Sequence, residues 1–196
     1  MTISADRIVN IAYSFRQAKA LMTAVELDVF TVLGRAPKNA DELISQLSIS
    51  ERGARDFLDT LVALGLLNRD QDGLYSNTPE AALYLDRSQP AYIGGLIDHL
   101  NQREYPLWNT LTAAVRTGLP QTGTRNLGNP DFFSDERALE TFARGMTGGS
   151  VLAAQEIATS FPWQNYQSIV DIGTSEGCLP VQVALAHTHT HHMFRF

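Results

Sequence analysis

The chain has 196 residues, 44% of them hydrophobic and 18% charged, with a formal net charge of −6. This balance allows a sizeable core in one large or two small domains, and it excludes a general attraction to nucleic acid or anionic membrane. The single cysteine, Cys178, rules out an intrachain disulfide, and there is no run of 18 apolar residues and no signal-type apolar core, so a cytoplasmic protein is expected.

In chain order, Ile8, Ile11, Phe15, Met22 and Val25 recur at helical spacing, with Leu21, Leu27, Phe30 and Leu33 extending the apolar surface. One long helix, or two with a bend, is expected. Its apolar face packs either on a second copy of the chain or on the intrachain core. Ala40–Leu47 predicts a short helix. Ser50 caps another that runs through Phe57, Leu58 and Leu61 to Gly65. Leu66–Arg69, the turn Asp70–Gly73 and Leu74–Asn77 then read as a hairpin. Helix, helix and hairpin is the order of a winged helix. Its second helix sets Arg52 and Arg55 against Glu51, Asp56 and Asp59, and its hairpin tip carries Asp70 and Asp72. Phosphate contacts need clustered basic residues, so a DNA-binding regulator is disfavoured on charge.

Pro79–Leu85 predicts a brief helix. A long one opens at Ser88-Gln89-Pro90, and its pattern resumes after Pro106 through Trp108, Leu111 and Val115. Thr117–Pro130 is a Gly/Pro/Asn-rich loop of the kind that covers a pocket. Ser134-Asp135-Glu136-Arg137 caps a further helix carrying Phe142, Met146, Ala154 and Ile157. Gly145, Gly148 and Gly149 lie within it. They mark either close packing against a ligand or helix, or a break.

Ser168–Ile172 is an apolar β-branched run that includes Asp171. It leads through Gly173-Thr174-Ser175-Glu176-Gly177 into the apolar segment Cys178–Ala186. This is how a buried parallel strand passes through a tight loop into a helix, with Pro180 in the first turn. The glycines permit close backbone approach to a ligand, and the helix start offers unbonded N–H groups, so the stretch reads as a nucleotide-type cofactor loop. Cys178 at that helix start is either a thiol of lowered pKa or a small buried residue.

With these segments in order, the chain resembles the S-adenosylmethionine-dependent small-molecule O-methyltransferases, the caffeate, hydroxyindole and bacterial polyketide type. The similar pieces are Ala24–Phe30, Leu61–Leu67, Phe142–Met146 and Ile169–Gly177. The resemblance implies a mainly α protein in three parts: a winged-helix dimerisation domain (1–88), a helical linker with acceptor-pocket helices (89–162), and the first strand, loop and helix of a Rossmann-like cofactor domain (163–196). It implies a homodimer through the N-terminal helices. It implies Asp171, Gly173, Ser175 and Gly177 around S-adenosylmethionine, and Trp108, Phe142 and Met146 in the acceptor pocket, each of these three being equally readable as plain core.

Two departures stand out. Ser175 occupies the middle glycine of the family's Gly-x-Gly-x-Gly, a position a serine fills if its φ is negative. No Asp or Glu follows Glu176, and the resemblance stops at about Ala186. The acidic residue that holds the ribose and the histidine general base therefore have no counterpart, and no catalytic residue is assigned. The expectation is a truncated enzyme without turnover alone, or a non-catalytic dimerisation module that pairs with itself or with a full-length relative. A single strand and helix form no parallel sheet, so residues from about Ile169 onward are expected to be weakly anchored unless a second chain completes them. His187, His189 and His191 alternate and could share one face of an extended tail, but without a carboxylate or thiolate nearby no metal site is expected.

Overall fold

The computed structural model describes residues 3–121 and 134–188, together with the backbone of 191–195. The chain divides into two compact units, Met1–Pro90 and Ala91–Phe196.

In the first unit, α1 (Asp6–Glu26) is followed by α2 (Val29–Leu33). The bend between them falls at Asp28, whose φ of 58° is left-handed and whose carboxylate accepts from Arg87 Nε at 2.5 Å. α3 (Ala40–Leu47) starts with a reciprocal cap: Asn39 Oδ1 accepts from Glu42 N, and Glu42 Oε2 accepts from Asn39 N, both at 2.9 Å. α4 (Glu51–Ala63) is capped by Ser50, with non-helical backbone at Arg52 and Gly53. β1 (Leu67–Arg69) and β2 (Tyr75–Asn77) pair antiparallel, Leu67 opposite Asn77. Leu74 stays out of the second strand because its N–H donates to Asp70 Oδ1 at 2.8 Å. α5 (Pro79–Tyr84) closes the unit. Phe30, Leu43, Leu58, Leu61, Leu67 and Tyr75 are its fully buried centre. Each contributes roughly 1.5–3 kcal/mol by leaving water.

The N-terminal half of α1 is not part of that centre. Every residue from Ile3 to Ala18 is exposed, including Ile8 at 73%.

In the second unit, the helix expected from Ser88-Gln89-Pro90 starts later. Asp86 holds a turn there, its side chain accepting from Ser88 N at 2.9 Å and its carbonyl from Gln89 N at 3.1 Å. α6 (Gly94–His99) runs into a π turn (Leu100–Glu104), then α7 (Tyr105–Trp108), and after a break α8 (Leu111–Thr117). Most of the predicted loop after Thr117, residues 122–130, lies outside the described residues. α9 (Glu136–Ser160) is continuous and capped by Asp135 Oδ1, which accepts from Ala138 N at 3.1 Å. Gly145 and Gly148 are packing sites, and none of its three glycines breaks the helix. A Cβ on Gly145 would stand 2.5 Å from His99 Cβ, and one on Gly148 would stand 2.7 Å from Leu96 N. α6 and α9 therefore cross at near-backbone contact.

A 3₁₀ turn (Trp163–Asn165) leads to β3 (Ser168–Ile172), and α10 (Cys178–Ala186) follows. Two expectations are corrected here. β3 is not alone, because it pairs in parallel with β4 (His191–Arg195), Ser168 opposite His191. Nor is it the buried strand expected, since Val170 is 50% and Ile172 81% exposed; the helix after it supplies the anchor. Val183 is buried with Ala158 and Trp163, and Trp163 Nε1 donates to Ile157 O at 2.9 Å. His187 ends α10 with its Nε2 2.8 Å from Ala158 O, so its ring docks helix on helix and does not extend along a tail face. His189 lies outside the described residues.

Candidate functional site

The loop from Gly173 to Gly177 curls because three of its five residues are left-handed: Gly173 at φ 76°, Ser175 at 51° and Gly177 at 77°. Gly177 N donates to Thr174 O at 2.8 Å, closing the turn, and Gly177 O accepts from Val181 N at 3.0 Å, starting α10. Glycine adopts these angles without strain, whereas a serine there costs roughly 1–2 kcal/mol. The condition under which a serine fits here without strain, a negative φ, is therefore not met. A Cβ on Gly173 would meet nothing within 4 Å, so the loop faces open space on that side.

Thr174 is 7% exposed, and its hydroxyl has no hydrogen-bond partner among the described residues. A buried hydroxyl left unmatched costs about 1–3 kcal/mol, and this one borders the cleft between the loop and α9. The loop is tied to α9 at the other side, where Thr147 Oγ1 donates to Glu176 Oε2 at 2.5 Å. Cys178 is half-buried against Thr147. Burial and, second, the Glu176 carboxylate push its thiol pKa up, contrary to the lowered value a bare helix start would give.

Between α9 and this loop lies a cleft of about 560 Å³, within the range of small-molecule sites. Asp171, Gly173 and Ser175 line one side, and Phe142 and Met146 the other. Gly177 is not in the wall; it is the left-handed cap of α10. Trp108 is elsewhere. It is 66% exposed beside a shallow depression of about 210 Å³ with Leu107, Leu111 and Ala114. Sequence reasoning passed over Thr147, Thr174 and Ser150, all in the cleft wall. The helical stripe through Met146, Ser150, Ala153 and Ile157 was the available signal for the α9 members.

A second cavity of about 260 Å³ lies between the π turn and the start of α9. His99, almost fully buried, meets the Phe142 ring edge-on at 5.7 Å between centroids. Burial, then the Arg103 charge, hold its pKa below the usual histidine range, against Glu104, which acts the other way. The Arg103 guanidinium is 5.7 Å from the centroid of the same Phe142 ring, which lines both cavities. Among the described residues no group of three His, Cys, Asp or Glu is placed to hold a metal ion.

Comparison with known proteins defines the class first. Residues 9–87 match the O-methyltransferase dimerisation domain. Over 182 residues the chain is 38% identical to the tetracenomycin polyketide synthesis 8-O-methyl transferase TcmO of Streptomyces glaucescens, covering 93% of this chain and 53% of that one. It is 37% identical to the N,N-dimethyltransferase OxyT of Streptomyces rimosus, covering 95% and 55%. The fold matches human N-acetylserotonin methyltransferase, solved in complex with SAM, with a TM-score of 0.85 at 22% identity, over 98% of this chain and 59% of that one. Residues 9–87 therefore carry the O-methyltransferase dimerisation domain, and the chain as a whole is similar to methyltransferases in sequence and in fold. It spans about half the length of the curated relatives it matches.

Proposed function

We propose that these residues form the dimer platform, the acceptor-side wall and part of the cofactor cradle of an S-adenosylmethionine-dependent methyltransferase acting on a hydroxyl of a small aromatic or polyketide-like molecule. The observation that carries this reading is one cleft in which the strand-loop segment after Ser168 meets Phe142 and Met146 of α9. The name of TcmO supports a polyketide-type acceptor, while that of OxyT makes nitrogen the competing acceptor atom. The three-part division at residues 88 and 162 belongs to the same proposal, as does residence in the cytoplasm. No described helix is long and apolar enough to cross a membrane.

The residues present fit the cofactor. Asp171, Gly173 and Ser175 would hold it from the loop, with Gly177 fixing the loop's end, and the open space at Gly173 together with the unmatched Thr174 hydroxyl leaves room and a hydrogen-bonding group for it. When bound, S-adenosylmethionine supplies an electrophilic methyl group on a sulfonium. The chain's own residues orient and exclude: Phe142 and Met146 offer an apolar wall that keeps water from a reacting oxygen, so positioning is their contribution to rate. The ribose-holding acid and general base have no counterpart among these 196 residues, and turnover is not proposed for them alone.

Calorimetry with S-adenosylmethionine and S-adenosylhomocysteine tests the cradle. Weak saturable binding that D171A abolishes and the exposed-surface variant Q164A leaves intact is expected. Absence of saturable binding, or equal binding by D171A, overturns it.

A non-catalytic dimerisation role is the second reading, and the exposed apolar first half of α1 favours it. Nucleic acid stays outside the proposal. Arg55 is paired with Asp41 at 3.4 Å and Arg69 with Asp59 at 3.3 Å, so two cations of the winged-helix segment are already engaged.

A further inference from the structure

The second cavity, between the π turn and the first turns of α9, is the part of the molecule that the cofactor reading leaves without a role. Its wall combines Arg103, Arg137, His99, Gln102 and Thr141 with the face of Phe142. Asp135 also lines it, so the wall holds two guanidiniums and one carboxylate. That carboxylate already accepts the Ala138 N–H that caps α9. Glu104, outside the wall, lies 3.9 Å from both Arg103 Nε and His99 Nε2, too far for a hydrogen bond to either.

Backbone geometry gathers these groups. His99 and Arg103 are four residues apart where the helix loosens from α to π hydrogen bonding, and both side chains reach the same cavity. Single π turns inside helices are uncommon and occur often at functional sites. The Arg103 side chain is only 18% exposed, so its charge acts in a partly desolvated setting where an anion is bound more strongly than in water. Its planar fork presents five donors, enough to keep its protein contacts and still meet two oxygens of one ligand group.

We propose that this cavity binds the anionic group of the acceptor, a carboxylate or phenolate carried on an aromatic ring system, with Arg103 as its main cation and Arg137 as a second. The inference rests on the methyltransferase reading for the word acceptor, and on the cavity alone for the charge. Phe142 stands in the walls of both cavities, so a ring held against it reaches from the anion-binding end toward the cofactor-side cleft. His99, kept neutral, adds a hydrogen bond without adding charge.

Fluorescence titration with 6-hydroxy-2-naphthoate and its neutral carboxamide tests this on the chain as it stands. The carboxylate should bind roughly tenfold tighter than the carboxamide, the margin of a charge-assisted over a neutral hydrogen bond. R103M should erase that preference while leaving carboxamide affinity within about twofold, and R103K should keep part of it. Circular dichroism establishes that each variant is folded. Should R103M fail to fold, R137M, altered at an exposed residue, should cut the preference several-fold. Equal affinity for the two probes, a preference that survives both substitutions, or no binding of either probe overturns the proposal. Calorimetry with S-adenosylmethionine is run in parallel. Cofactor binding without the probe preference sinks the anion site only, and the preference without cofactor binding sinks the methyltransferase reading only.

Discussion

A Cβ built on Gly145 would stand 2.5 Å from the Cβ of His99, closer than real carbon atoms approach. His99 is buried and its Cβ is not the free end of a flexible chain, so neither helix can yield cheaply. G145A should therefore destabilise the second unit by about 1–3 kcal/mol, the usual cost of overpacking. G148A should behave alike, since its Cβ would meet the Leu96 backbone nitrogen at 2.7 Å. G149A should do the opposite. Its nearest neighbour is the Leu96 side chain at 3.7 Å, an ordinary contact, so the helix gains up to about 1 kcal/mol of propensity. Urea denaturation of the three variants separates these signs.

The loop after β3 gives a pair of opposed substitutions. Ser175 sits at φ 51°, and S175G should relieve strain and raise stability by roughly 1 kcal/mol. T147V removes the hydroxyl that donates to Glu176 and should lower stability by about 1 kcal/mol. Thermal melting reads both. In calorimetry T147V should also weaken S-adenosylmethionine binding, because the loop loses its tie to α9.

What the sequence made legible was local. Ser50 and Asp135 cap helices through neighbours two or three residues away, and the strand-loop-helix around Gly173 follows from adjacent residues. The π turn at Leu100–Glu104 was not legible, because the apolar spacing through Ile93, Leu96, Ile97 and Leu100 continues as if the helix were regular. Nor was the φ of Ser175, since its sign is set by how its flanking glycines turn. The pairing of β3 with β4 joins residues more than twenty apart through backbone bonds, and the His/Thr alternation before β4 carries no apolar signal for it. Phe142 and Met146 fall beside Asp171 by long-range packing that helical spacing alone does not reveal, and Trp108, which the resemblance grouped with them, lies beside another depression.

His99 gives the acid side of stability a sign. Burial and Arg103 hold its folded-state pKa below the unfolded value, so the folded chain binds fewer protons than the unfolded one as pH falls through the ordinary histidine range. The stability associated with neutral His99 is complete above about pH 6.5 and is lost as pH drops through that range toward the lowered folded-state pKa. Melting temperatures at a series of pH values should fall toward pH 5, and H99Q should show a shallower fall even if it starts lower.

Tyr75 gives the alkaline side. Its phenol is fully buried and donates to Asp59 Oδ1 at 2.7 Å; burial and then that hydrogen bond push its pKa up to about 12. The folded state keeps the phenolic proton above pH 10, where the unfolded chain releases it. Stability from this group is therefore complete below about pH 10 and lost as pH rises toward 12. Ultraviolet titration should show one tyrosine of the native protein ionising only near unfolding, and Y75F should remove that late step.

The first half of α1 remains the surface most in need of a partner. Ile8 is 73% exposed, Ile11 64% and Phe15 53%, spaced three and four residues apart so that they share one helix face. An apolar stripe of this kind is stable in water when a matching stripe covers it, and a two-fold pairing of identical helices supplies one. The dimerisation domain matched by residues 9–87 includes Ile11 and Phe15. Light scattering should give a dimer mass for the chain. I11D places a charge at the centre of the stripe and should weaken association by at least tenfold, because an unpaired buried charge is among the costliest interface defects. D6N, altered at the exposed start of the helix, should leave the mass unchanged. A monomer at the highest accessible concentration would overturn the dimer, and a dimer indifferent to I11D would assign the interface elsewhere.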